Sequence, residues 1–136
     1  MSKGNSYLFS GTSGSGKQLV MEVVSNNRKI SPNKVLSITR DSNGKVVWIE
    51  EGNSHSGFQH IIEKHEPEFY GRGISKDEIP NYILEAVRQG NIVGYQGKNN
   101  PRPIYEFVYN GTTHRLAVQV SDNGYIVSAN GVSSKE

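Results

Sequence analysis

The chain has 136 residues, a formal net charge of +2, no cysteine and a mean hydropathy of −0.58. That length suits one domain, able to bury about two-thirds of the surface its unfolded form exposes. The missing cysteines exclude disulfides, thiolate metal sites and a thiol nucleophile, and the balanced charge excludes a chain basic throughout, since residues 1–54 carry seven Lys or Arg against four acids and residues 55–136 eight against nine.

No apolar run approaches the roughly 18 residues of a spanning helix, and Met1 to Asn5 lack the apolar stretch of a signal peptide. Residues 1–17 are rich in Gly and Ser and read as a flexible tether, with a single domain over residues 18–136. Within the tether, Gly11 to Lys17 matches most of a phosphate-binding loop. The next position should be Ser or Thr to hold magnesium, and it is Gln18. The run from Gln18 to Val24 suits a short strand or one or two helical turns, and its periodicity does not settle which.

Val35 to Thr39 and Val46 to Ile49 are β-rich runs flanking Asp41-Ser42-Asn43-Gly44, which predicts a hairpin. A helix is expected from Ser54 to Glu66, with Ser54 or Ser56 as its cap and Pro67 as its end. A second helix follows from the capping box Ser75-Lys76-Asp77-Glu78, with Ile79, Ile83, Ala86 and Val87 at helical spacing before Gly90. Pro80 falls in its first turns, where a missing donor costs least. The remainder reads as a meander: Ile104 to Tyr109, His114 to Val120 and Tyr125 to Ala129, joined at Asn110-Gly111 and Asp122-Asn123-Gly124. In the middle strand Leu116, Val118 and Val120 share a face with His114, and Arg115, Ala117 and Gln119 share the other. The expected fold is α+β, with helices packed on one face of an antiparallel sheet and an N-terminal β-hairpin.

The predicted helix from Ser54 concentrates groups that titrate near neutral pH: His60, Lys64 and His65, with His55 just before them. Histidines five apart stand about 140° apart around a helix, so a shared metal ion is disfavoured. His60 and Lys64, four apart, project from one face about 40° apart, a base beside a cation. An end at Pro67 puts His65 in the last turn, where the helix dipole favours an imidazolium; that suits a general acid or an ordinary capping residue. Arg115 and Ser128 stand on strands that could position them. Tyr95, Tyr105, Tyr109 and Tyr125 could stack on bases or pack at the core edge.

The Gly57-Phe58-Gln59-His60-Ile61-x3-His65 helix, a second helix, and a meander ending Gly124-Tyr125-Ile126-Val127-Ser128-Ala129 resemble, in that order, the ribonuclease toxin domains grouped with the barnase, EndoU, colicin and RelE nucleases. The likeness covers about residues 34–132 and points to the C-terminal toxin domains of bacterial polymorphic toxins and related phage proteins. It implies His60, His65, Lys64, Arg115 and Ser128 as catalytic residues, where the family more often has Arg in place of Lys64 and Thr in place of Ser128. His114 stands where an aromatic is more usual and is either a further catalytic candidate or an edge substitution; with Tyr125 and Tyr95 it is a candidate contact for substrate.

The implied reaction needs no metal and no cofactor. His60 takes the proton of a ribose 2′-hydroxyl, His65 or His114 protonates the leaving 5′-oxygen, and Lys64, Arg115 and Ser128 stabilise phosphoryl charge, giving a 2′,3′-cyclic phosphate. His65 can share a phosphate with His60 only if the helix frays or curls at Pro67. The resemblance further implies a monomer, carried by a larger secreted toxin into the target-cell cytoplasm and neutralised at home by a cognate immunity protein. Competing readings are a nucleic-acid-binding module that does not cleave and a metal-dependent DNase.

Overall fold

A computed structural model describes residues 15–133. Residues 1–14, with the first four positions of the Gly11–Lys17 motif, lie outside the described residues, whereas its Ser15, Gly16 and Lys17 open helix α1 (Ser15–Ser25). The run whose periodicity was ambiguous is therefore helical. Its Leu19, Val20 and Val23 are buried against Val35, Ile38, Val46 and Trp48 of the hairpin, and Met21 and Val24 face outward.

Strands β1 (Val35–Arg40) and β2 (Val46–Glu50) form that hairpin, with Asp41 Oδ1 accepting the N–H groups of Asn43 and Lys45 at 2.9 Å. Every residue of β2 is buried, because Val46 and Trp48 face α1 whereas Val47 and Ile49 enter the main core. A strand covered on both faces loses the polar half of its alternation.

Helix α2 (Gly57–Tyr70) starts and ends later than the sequence suggests. Ser56 occupies the cap position, yet its hydroxyl bonds the Tyr125 hydroxyl at 2.9 Å instead of capping the helix. Pro67 lies inside α2 and does not end it; burial of Phe69 in the core carries the helix one further turn, at the cost of the bond Pro67 cannot donate. Replacing Pro67 by Ala should therefore stabilise the protein by about 1–2 kcal/mol, the recovered helical hydrogen bond outweighing the freer unfolded chain, read as a raised melting temperature. A helix that stopped at Glu66 would gain nothing.

A 3-10 turn at Lys76–Glu78 carries the expected box, Glu78 Oε1 accepting from the Ser75 N–H at 3.0 Å, and leads into α3 (Ile79–Gln89). Gly90 closes α3 with φ 68°, a left-handed geometry suited to glycine. Strand β3 (Ile92–Gln96), absent from the sequence reading, comes next, followed by β4 (Arg102–Tyr109), β5 (Thr112–Val120) and β6 (Ile126–Gly131). These four make one antiparallel sheet in chain order. Ile61, Phe69, Tyr82, Ile83, Phe107, Leu116 and Val118 pack into a single core between α2, α3 and the sheet. The protein is α+β with helices on a sheet face, and no helix among the described residues is long and apolar enough to cross a membrane.

The hairpin joins the sheet through Gly124, whose carbonyl accepts the Trp48 N–H at 2.9 Å. Its φ is 106°, and a Cβ there would stand 2.3 Å from the Val46 carbonyl oxygen, so only glycine lets the two backbones meet.

Candidate functional site

Helix α2 lies along β6 and runs in the same direction. At one end a Cβ on Gly57 would stand 2.9 Å from the Tyr125 hydroxyl, just before β6; at the other, Glu68 Oε1 accepts the Gly131 N–H at 2.8 Å. His60, Lys64 and Glu68, each four residues apart, form one ridge that ends on this strand. His60 Nδ1 is 3.0 Å from the Ser54 carbonyl oxygen. A carbonyl only accepts, so Nδ1 carries the proton, and in the neutral ring Nε2 is the basic nitrogen. Lys64, one turn on, is exposed, and no described carboxylate pairs with its ammonium.

His65 belongs to a different arrangement. Because α2 continues through Pro67 to Tyr70, His65 is not in the last turn and loses the dipole environment expected there. The curl that would have brought it beside His60 does not occur, and about 140° separates the two around the axis. Its Nδ1 donates to Glu68 Oε2 at 2.6 Å, and the same carboxylate holds Gly131. His65 thus braces the α2–β6 junction through Glu68, which corrects its assignment as the general acid.

Arg115 and Ser128 lie on the sheet face turned away from the core but are not adjacent there, because their register partners are Glu106 and Gln119 whereas Leu116 and Val118 face the helices. Arg115 Nε donates to Glu106 Oε2 at 3.0 Å. Ser128 is only 2 % exposed, so its hydroxyl cannot meet a phosphate on this surface without local opening. The same face holds Arg102, which sequence reasoning missed. Arg102 is held by the side-chain oxygens of Asn130 at 2.9 Å and Gln119 at 3.5 Å, and no described carboxylate neutralises it. Its signal was available: Arg102, Ile104 and Glu106 alternate with the buried Tyr105 and Phe107.

His114 faces inward as its strand alternation predicts. Its Nδ1 lies 2.8 Å from the Tyr82 hydroxyl, and its ring meets those of Tyr82, Phe107 and Tyr109 with centroids 5.3, 5.7 and 6.1 Å away. His114 thus packs in an aromatic cluster while staying partly exposed. Burial first, then the Arg72 guanidinium, hold its imidazole below the ordinary 6.5. The folded form keeps His114 neutral while the unfolded chain takes up a proton more readily, so this contribution is complete above the unfolded value and is lost as pH falls through the depressed folded one. Melting temperature should accordingly drop between pH 8 and pH 5, with a shallower drop in His114→Phe.

Tyr125 sits beside the start of α2, its ring edge-on to Trp48 at 6.4 Å and 73°. Tyr95, 64 % exposed on the outer strand β3, is remote from α2, with β4, β5 and β6 between them. Of the residues singled out in the sequence, the structure puts His60 and Lys64 on one ridge of α2, sets Tyr125 beside the helix start at Ser56 and Gly57, and leaves Arg115 and Ser128 on the sheet. Among the described residues no three His, Asp or Glu side chains are placed to share a metal ion. No family model matches the chain, and no match is found among curated proteins.

Proposed function

We propose that the protein is a metal-independent RNA endonuclease whose working group is His60. The observation that carries this reading is the fixed tautomer: the Ser54 carbonyl holds the Nδ1 proton, so a neutral His60 presents Nε2 as a base, with the Lys64 ammonium on the same ridge. Nε2 takes the proton of a ribose 2′-hydroxyl, which attacks the adjacent phosphate as the P–O5′ bond breaks; the Lys64 ammonium neutralises the phosphoryl oxygens and gives a proton to the leaving 5′-oxygen. The product is a 2′,3′-cyclic phosphate and a free 5′-hydroxyl. The order of sequence motifs supports a toxin role for this activity, with delivery by a larger protein and a neutralising immunity partner.

The test is to incubate purified protein with total RNA in EDTA and identify the ends formed. Cyclic-phosphate ends, and resistance of an RNA carrying 2′-deoxy at the cut position, are the expected results. Intact RNA, or equal cutting of the deoxy-substituted strand, overturns the reading. A non-cleaving nucleic-acid-binding module is the second reading, favoured by the burial of Ser128 and the pairing of Arg115 with Glu106. It calls for salt-sensitive binding with no products.

A further inference from the structure

A cleft of about 570 Å³ opens beside the N-terminus of α2, lined by Lys29, Glu50, Asn53, Ser56, Asn123 and Tyr125 among others. Its size is within the range of sites that enclose small organic ligands. Glu50 is its most informative wall. The residue is 8 % exposed, and its Oε2 accepts the Trp48 indole N–H at 2.8 Å and the Ser31 N–H at 3.0 Å, which occupy both lone pairs. No described residue donates to Oε1. Since no buried side-chain oxygen or nitrogen among the described residues is left without a partner, Oε1 keeps an accessible surface, and the cleft is the space that Glu50 lines. A carboxylate oxygen that stays open on a side chain otherwise this buried is a strong acceptor for a ligand donor.

Two further features shape the ligand. Asn53 Oδ1 is occupied by the N–H groups of His55 at 2.8 Å and Ser56 at 3.2 Å, which leaves its amide N–H groups for the cleft, and Tyr125 adds an aromatic ring. The cleft is also joined to His60. Asn53 and Ser56 line it, and Ser54 between them supplies the carbonyl that fixes the His60 tautomer.

We propose that this cleft is a nucleobase subsite, seating the base next to the phosphate that His60 and Lys64 handle, with Glu50 Oε1 accepting a ring N–H. The identity of the ligand rests on the endoribonuclease reading. Guanine offers N1–H and uracil N3–H at the centre of the pairing edge, whereas adenine and cytosine present a ring nitrogen lone pair there. A lone pair set against this carboxylate oxygen is repelled and displaces its water without giving a hydrogen bond in return, so the subsite selects guanine and uracil.

The four nucleoside 3′-monophosphates, titrated into the wild-type protein and followed by fluorescence of its single tryptophan, Trp48, test this directly. Guanosine and uridine monophosphates should bind at least about tenfold tighter than the other two, the scale of one charge-assisted hydrogen bond. In Glu50→Gln the amide oxygen must stay on the two fixed donors, Trp48 Nε1 and the Ser31 N–H, so the amide N–H2 turns into the cleft and the preference should invert toward adenine and cytosine. Equal binding of all four nucleotides by the wild-type protein, or no saturable binding, overturns the proposal even if Glu50→Gln proves unstable. Because the titration cuts no phosphodiester, its outcome is separate from that of the cleavage assay: base selection without RNA cleavage would retain the subsite and discard the nuclease, and cleavage without base selection would do the reverse.

Discussion

His60→Ala should lower the rate of RNA cleavage by about 10²–10⁴-fold, the range for removing a general base, while leaving the fold intact. The side chain is half-buried on the flank of α2, and its one hydrogen bond goes to a loop carbonyl at 3.0 Å, so little packing depends on it. His60→Gln is a sharper probe, because it can keep a donor to Ser54 but has no group that takes up a proton near neutral pH. Both variants should melt near the wild-type temperature and be inactive in EDTA. Lys64→Ala should cost a further, separable factor of about 10² if its ammonium meets the phosphate in the transition state. Full activity in either His60 variant would remove the residue from the mechanism.

Arg72→Ala should be the most destabilising single truncation of a polar side chain, by about 3 kcal/mol, read from chemical denaturation. Its guanidinium donates to the Tyr82 hydroxyl at 3.0 Å, to the Arg115 carbonyl at 2.8 Å and to the Val132 carbonyl at 2.9 Å. It thereby ties the turn after α2 to the aromatic cluster, to β5 and to the residue following β6. Truncation leaves two main-chain oxygens and a buried phenol without that donor. Arg72→Lys should recover only part of the loss, because a point ammonium cannot span three acceptors that a planar fork reaches together. A change under about 0.5 kcal/mol, as at an ordinary surface site, would refute this role.

What the sequence made legible follows from how local each signal is. The hairpin at Asp41–Gly44 and the start of α3 at Ser75–Glu78 are written in neighbouring residues, and both stand where expected. The end of α2 is not local: Pro67 argues for a stop, and the pull of Phe69 into the core overrides it. That one displaced boundary decided the fate of His65. Strand β3 was invisible because both its faces are largely exposed and Gly94 breaks its pattern, so no apolar alternation marks it; it exists through pairing with β4. Helix α1 was ambiguous for the opposite reason, as a short apolar run fits either element until its partner surface is known. On the α2 ridge, the i, i+4 pairing of His60 with Lys64 could be read directly, but the tautomer could not, because the Ser54 carbonyl acts through a fold-dependent loop. Glu50 was equally hidden, since its burial depends on the hairpin being covered on both faces.

The placement of β3 bears on how this protein fails as well as on how it works. One border of the four-stranded sheet is closed, because α2 and the hairpin cover β6. The opposite border ends in β3, where Ile92, Val93 and Tyr95 are 43, 43 and 64 % exposed beside an outer row of main-chain groups that has no strand next to it among the described residues. A concentrated sample should therefore begin to self-associate by strand addition at β3, and a charge placed at Val93 is the change that would keep it in solution.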